Sequence, residues 1–148
     1  MNSINDYFRF GMLTQGIILI GMGIYFVFLR PVLLPEDLNY MNASEVEINN
    51  HLPGLTHWLQ KVFIVLGGYI AASGSLMLYF GIAKDYQKSI LLFMFIVISG
   101  LTSIVMMTAI NFMIDSDFKW LLLLFSTPWI FSVLTYFRPA SSKIPILK

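Results

Sequence analysis

The side chains best suited to chemistry in this sequence are two carboxylates, a histidine and a lysine that lie close together in the chain. They are Glu36, Asp37, His57 and Lys61. A carboxylate pair near a histidine can act as general acid and base, or can bind a divalent cation. His57 and Lys61 are four residues apart, so on a helix their side chains would face the same way. This pattern indicates a candidate catalytic site.

A structural role explains the same residues more simply, and we favour it. Glu36 and Asp37 follow a proline, which is typical of the first turn of a helix, where free N–H groups favour negative charge. Lys61 can extend its apolar stem toward the lipid headgroups. His51 and His57 flank a Pro-Gly turn, so no helical ligand spacing links them. We therefore predict no metal site, and the absence of a cofactor motif predicts no cofactor.

The elements that must position these residues are four long apolar blocks. Of the whole sequence, 57% is hydrophobic and only 11% is charged, whereas soluble domains carry about 25% charged residues. A helix needs about 20 apolar residues to cross the hydrocarbon layer. We predict an all-α fold, an antiparallel integral membrane four-helix bundle that forms a single domain over residues 1–148. The predicted spans are about 8–29, 58–82, 89–114 and 120–137, and the successive spans two, three and four should pack as hairpins.

The first connection, about 30–57, should form short interfacial helices in an outer loop. One helix would start at the proline and its two carboxylates. Ser44 and Glu47 have the spacing of a capping box, which predicts a second helix through about Asn50. The many apolar side chains of the loop should lie against the bundle or the headgroups, because their hydration is unfavourable. Arg30 and Lys61 are the expected partners of the carboxylates.

The cations are distributed unequally between the two sides of the predicted bundle. Cytoplasmic loops of membrane proteins hold an excess of Lys and Arg. Six cations share the side of the termini, and only Arg30, Lys61 and Lys119 lie on the other. Both termini should therefore be cytoplasmic. The six are Arg9, Lys84, Lys88, Arg138, Lys143 and Lys148.

Small residues recur at helical spacing within the spans and indicate close helix packing, within the chain or between chains. Packing within the chain is favoured. Two polar residues of the spans, Gln15 and Asn111, should make interhelical hydrogen bonds, and either could instead line a ligand pocket. The predicted packing residues are Gly16, Gly23, Gly67, Gly68, Ala71, Ala72, Gly74 and Gly100.

A dozen residues after the first span carry a resemblance to other proteins. The segment from Arg30 to Met41, Arg-Pro-Val-Leu-Leu-Pro-Glu-Asp-Leu-Asn-Tyr-Met, resembles a loop of small, uncharacterised four-span bacterial membrane proteins. In those proteins an L-L-P-E-D segment also follows the first helix. The resemblance implies a multi-pass protein of the bacterial inner membrane and supplies no activity.

Two kinds of function agree with these features. No basic run suits nucleic acid, and the spans lack the central acidic residue that proton-coupled carriers need. The preferred hypothesis is a non-enzymatic membrane module that packs with a partner protein, with itself or with a lipophilic ligand, surrounded by membrane lipids. The alternative is a membrane-embedded enzyme that acts on a lipid or isoprenoid headgroup at the outer interface.

Overall fold

A computed structural model describes residues 5–83 and 88–138, and the regular structure in these ranges is entirely helical. The all-α prediction is confirmed for this part of the chain. Three runs are long and apolar enough to cross a membrane: Asp6–Phe28, Leu55–Ile82 and Ile90–Met113. A fourth apolar helix, α7, has 17 residues. The elements are α1 (Asp6–Phe28), α2 (Pro35–Met41), α3 (Glu45–His51), α4 (Leu55–Ile82), α5 (Ile90–Gly100), a π-helical segment (Leu101–Val105), α6 (Met106–Met113) and α7 (Lys119–Thr135).

The helix α3 begins where the capping-box spacing predicts. The Ser44 amide donates to the Glu47 carboxylate over 2.8 Å, and the Glu47 amide donates to the Ser44 hydroxyl over 3.2 Å. These bonds satisfy two N–H groups that the first turn leaves free. Because the backbone and side chain of Ser44 donate to the carboxylate, they lower the pKa of Glu47. The helix ends at His51, one residue beyond the expected end.

The helices α1 and α4 lie antiparallel with their backbones in contact. A Cβ atom added to Gly67 would lie 2.7 Å from the carbonyl oxygen of Gly23, and one added to Gly74 would lie 2.8 Å from that of Gly16. Real Cβ atoms do not approach so closely, so these positions admit only glycine without a shift of the backbone. Ala71 also packs against Gly23. The structure thus places five of the predicted packing residues in one contact.

The second small-residue face of α4 points away from α1. Gly68 and Ala72 are exposed, and a Cβ atom on Gly68 would have nothing within 4 Å. The favoured expectation, packing within the chain, is therefore wrong for Gly68 and Ala72, and their packing against another chain stays a prediction. The physical reason is that the two faces are adjacent on one helix, and only one of them can meet α1.

The helix α7 packs between α1 on one side and α5, the π-helical segment and α6 on the other. The Trp129 ring lies against Gly100, and its Nε1 donates to the Ile96 carbonyl over 3.1 Å. Thr108 and Ser126 share a buried hydrogen bond of 3.0 Å. The extensive contact of α4 is with α1 and not with α5, so the expected α4–α5 hairpin is not the packing arrangement. The glycine face of α4 packs against α1 instead.

Replacing Gly67 with leucine should destabilise the protein, because the added side chain would force apart two backbones that touch. Overpacking of this kind costs about 1–3 kcal/mol. The matched control is Gly68→Leu, one residue along the same helix and facing open space. We expect Gly67→Leu to lower the melting temperature in detergent by several degrees, and Gly68→Leu to leave it within about one degree. Equal melting temperatures for the two variants would contradict this packing.

Candidate ligand cavity

A cavity of about 610 Å³ lies between α1, α6 and α7. Its walls are almost entirely apolar and include Ile17 and Met22 of α1, Ile110 of α6, and Leu122 and Phe125 of α7. The residues that lead into α2, together with its first turn, close one end of the cavity. We call this the capped end. The arrangement is an apolar slot with a lid at one end.

The cavity exists because α1 meets α7 closely only in the half of α1 far from the capped end. There, a Cβ atom on Gly11 would lie 2.7 Å from the Pro128 carbonyl oxygen, and the Ser132 hydroxyl donates to the Phe8 carbonyl of α1 over 3.3 Å. The Trp129 amide donates to Gln15 Oε1 over 3.2 Å. Toward the capped end, side chains of the two helices border the cavity. In the described chain α1 has no extensive contact with α6, so the space stays unfilled.

The cavity opens sideways, between α1 and α6. Ile17 is 65% exposed and Ile110 is 48% exposed, although both line the cavity. Gly21 also lines it, and a Cβ atom on Gly21 would have nothing within 4 Å. The rim is therefore apolar and accessible from the side of the molecule.

A salt bridge holds the lid to the start of the first connection. Arg30 Nη2 lies 3.1 Å from Asp37 Oδ2, and the same oxygen accepts from the Leu34 amide over 3.0 Å. The Arg30 guanidinium also stacks on the Phe63 ring of α4, 3.8 Å from its centroid. Arg30 is thus confirmed as a partner of the carboxylate pair. Lys61, the other expected partner, is exposed and forms no ion pair with any described residue.

The second carboxylate ties the lid to the turn between α6 and α7. The Ser116 hydroxyl donates to Glu36 Oε1 over 3.0 Å and accepts from the Phe118 amide over 3.1 Å. Glu36 is only 8% exposed and Ser116 only 1%. The helix α2 therefore bridges the cavity, with Asp37 bound to the α1 end through Arg30 and Glu36 bound to the α6–α7 turn.

Polar groups of the cavity gather at the capped end. Asn111 lines the cavity, and its Nδ2 donates to the Met107 carbonyl over 2.9 Å, which leaves its side-chain oxygen as an acceptor. Gln15, the other candidate ligand residue, does not line the cavity. Its Oε1 binds Trp129, and its Nε2 is buried with no hydrogen-bond partner among the described residues. The structure thus places Asn111 at the cavity and Gln15 in the contact between α1 and α7.

The structure does not assemble the four candidate catalytic residues. Glu36 and Asp37 line the cavity, whereas His57 and Lys61 are exposed on α4 and do not. Neither His57 nor Lys61 forms a hydrogen bond or ion pair with any described residue. Over residues 5–83 and 88–138, no group of three or more His, Cys, Asp or Glu side chains could hold a metal ion. The carboxylates meet an arginine and a serine instead.

Three residues that shape the site escaped the sequence analysis. Ser116 is 80 residues from Glu36 in the chain, and no local pattern connects them. Trp129 resembles any other apolar residue of a span. Gly21 sits near three other glycines, and only the position of α6 gives it a different role.

Comparison with known proteins adds no relative to this picture: no family model, curated protein or solved structure matches the chain.

Removing the Asp37 carboxylate should loosen the lid. Asp37→Ala deletes the salt bridge to Arg30 and the acceptor for the Leu34 amide. Hydrogen bonds to charged groups contribute about 1.5–3 kcal/mol, so α2 amides should exchange with solvent at least about tenfold faster. Asp117→Ala is the control, because Asp117 is exposed at the same end and has no polar partner among the described residues. Unchanged exchange of α2 in Asp37→Ala would show that the lid is held by other contacts.

Proposed function

We propose that this chain is an integral membrane protein in which α1, α4, the α5–α6 run and α7 all cross the bilayer as one antiparallel four-helix domain. Three of these helices have the necessary length and apolar composition. The excess of Lys and Arg on one side supports cytoplasmic termini, with the capped end outside. Of those cations, Lys84, Lys143 and Lys148 lie outside the described residues. The resemblance of the loop after α1 supports a bacterial inner membrane.

Within the membrane, the chain acts as a non-enzymatic module that holds one lipophilic ligand in the cavity. The observation that carries this proposal is the combination of apolar walls, a sideways opening and polar groups confined to one end. Such a slot matches an amphiphile, whose chain would lie along the walls and whose headgroup would lie beneath α2. Its volume falls within the range of ligand pockets, roughly 300–1,000 Å³.

The sideways opening gives this ligand a direct path from the bilayer. An apolar chain that enters between α1 and α6 stays in an apolar medium throughout, so entry needs no passage through water. The position of His57 and Lys61 outside the cavity favours binding over catalysis, since no base or acid other than the bonded carboxylates faces the ligand. Association with a second copy or another membrane protein stays a prediction.

Filling the cavity should block the ligand. Gly21→Trp would place a large side chain in open space within the cavity, whereas Gly68→Trp would place the same side chain on the exposed face of α4. The probe is hexadecanol with a photoreactive diazirine in its chain, added to purified protein in lipid nanodiscs. Mass spectrometry should find wild-type and Gly68→Trp protein labelled on α6 and α7 at Ile110 or Leu122, and Gly21→Trp labelled several-fold less there.

Two results would contradict the cavity as the binding site. One is wild-type labelling spread evenly over exposed apolar residues such as Tyr69 and Leu134, without enrichment in the cavity. The other is equal labelling of Ile110 and Leu122 in Gly21→Trp and Gly68→Trp. The two variants should share the melting temperature of the parent protein, because a Cβ atom at either position has nothing within 4 Å.

The orientation has its own test, which is simple because the chain contains no cysteine. Asn50→Cys places a thiol in the exposed helix α3, and Gln87→Cys places one in the α4–α5 connection, at a position outside the described residues. In intact cells, an impermeant thiol reagent should label Asn50→Cys and leave Gln87→Cys unlabelled until the membrane is permeabilised. Labelling of Gln87→Cys in intact cells would show that the protein has the opposite orientation.

A further inference from the structure

The cavity contains one carboxylate, Glu36, that forms no ion pair with any described residue. Glu36 is 8% exposed, and its single hydrogen bond with the described residues is the one that Ser116 donates to Oε1. An ionised carboxylate has two oxygens and about four acceptor positions. Burial of such a group is unfavourable unless it is paired and hydrogen-bonded. Oε2 of Glu36 has no donor among the described residues, and Glu36 lines the cavity.

The cations near the capped end are already engaged or point elsewhere. Arg30 also lines the cavity, but its guanidinium binds Asp37 and the carbonyls of Pro31 and Val32. Lys119 pairs with Asp115, and neither Lys119 nor the exposed Lys61 lines the cavity. Because the Arg30–Asp37 pair is neutral, the charged residues that line the cavity leave one net negative charge, on Glu36.

Asn111, which also lines the cavity, offers a ligand a hydrogen-bond acceptor, as Glu36 does. Asn111 donates one N–H to the Met107 carbonyl, and its side-chain oxygen has no donor among the described residues and can accept from a ligand. Glu36 and Asn111 thus each offer an unused acceptor oxygen, and Glu36 also brings the charge. A headgroup that fits them must donate hydrogen bonds and carry a positive charge.

We propose that the ligand of this cavity is an amphiphile with a protonated amine headgroup, and that its ammonium binds the Glu36 carboxylate with help from the Asn111 oxygen. This inference rests on the proposed function, because it names the headgroup of the ligand that the cavity holds. An ammonium has three donors, so it can bind more than one acceptor at once. A headgroup bearing only negative charge would be repelled by the net negative charge of the cavity.

Three probes of equal chain length test the headgroup: hexadecylamine, hexadecanol and hexadecanoate, each with a diazirine at the same carbon. Wild-type protein in phosphatidylcholine nanodiscs should be labelled in the cavity about tenfold more efficiently by the amine than by the alcohol, and least by the carboxylate. Each efficiency is divided by labelling at Leu134, an exposed residue outside the cavity, to correct for partition of the probe into the bilayer.

Glu36→Gln then tests the residue. Glutamine keeps an oxygen that can accept from Ser116 and removes the charge, so the preference for the amine over the alcohol should fall from about tenfold to about one. The control is Glu45→Gln, which removes an exposed carboxylate at the same end of the molecule and should keep the full preference. The comparison of probes in wild-type protein needs no variant, so it decides the inference even where Glu36→Gln fails to fold.

The outcomes separate this inference from the proposed function. Equal labelling of the wild-type cavity by amine and alcohol overturns the ammonium site and leaves the lipophilic cavity intact. An amine preference that survives in Glu36→Gln overturns the role of Glu36. If none of the three probes labels the cavity above Leu134, the proposed function fails together with this inference.

Discussion

The close contact between α1 and α4 is the constraint on which the rest of the structure depends. Gly16 and Gly23 of α1 meet Gly74 and Gly67 of α4 with no space for a Cβ atom on either side. Within a lipid phase, where apolar side chains gain little by leaving the solvent, such backbone contact is a main source of helix association. It commits one face of α1 and draws α4 away from α5. Only the remaining faces of α1 are then available to pack against α7 and α6.

Besides α4, α1 packs closely only against α7 among the described helices, and only over half of its length. The cavity lies along the other half. Pro128 interrupts the hydrogen-bond ladder of α7, and Thr127 donates to the freed Leu124 carbonyl over 2.8 Å. At the same level Gln15 crosses to the Trp129 amide. Beyond this level the space between α1 and α6 has no side chain to fill it, and α2 spans the gap from Arg30 to Ser116. One packing choice thus yields an apolar slot with a polar lid.

Local features of this arrangement could be predicted from the sequence, and distant pairings could not. Helix starts at α2 and α3, and the pairing of Arg30 with Asp37, depend on residues within seven positions of each other. Ser116, the partner of Glu36, lies 80 residues away, and the sequence of its turn gives no indication of this hydrogen bond. The choice of Gly67 over Gly68 as the face that meets α1 also depends on a second helix, since the two glycines are adjacent and chemically identical. The grouping of His57 and Lys61 with the carboxylates followed from proximity in sequence, which the fold does not preserve.

An experimental density map of the protein in lipid nanodiscs would show whether an amphiphile occupies the space between α1 and α6, as we propose. We expect an elongated density along Ile17 and Ile110 that ends in a polar feature within hydrogen-bond distance of Glu36. A map in which α1 packs directly against α6, with side chains filling the space and no density beneath α2, would contradict it.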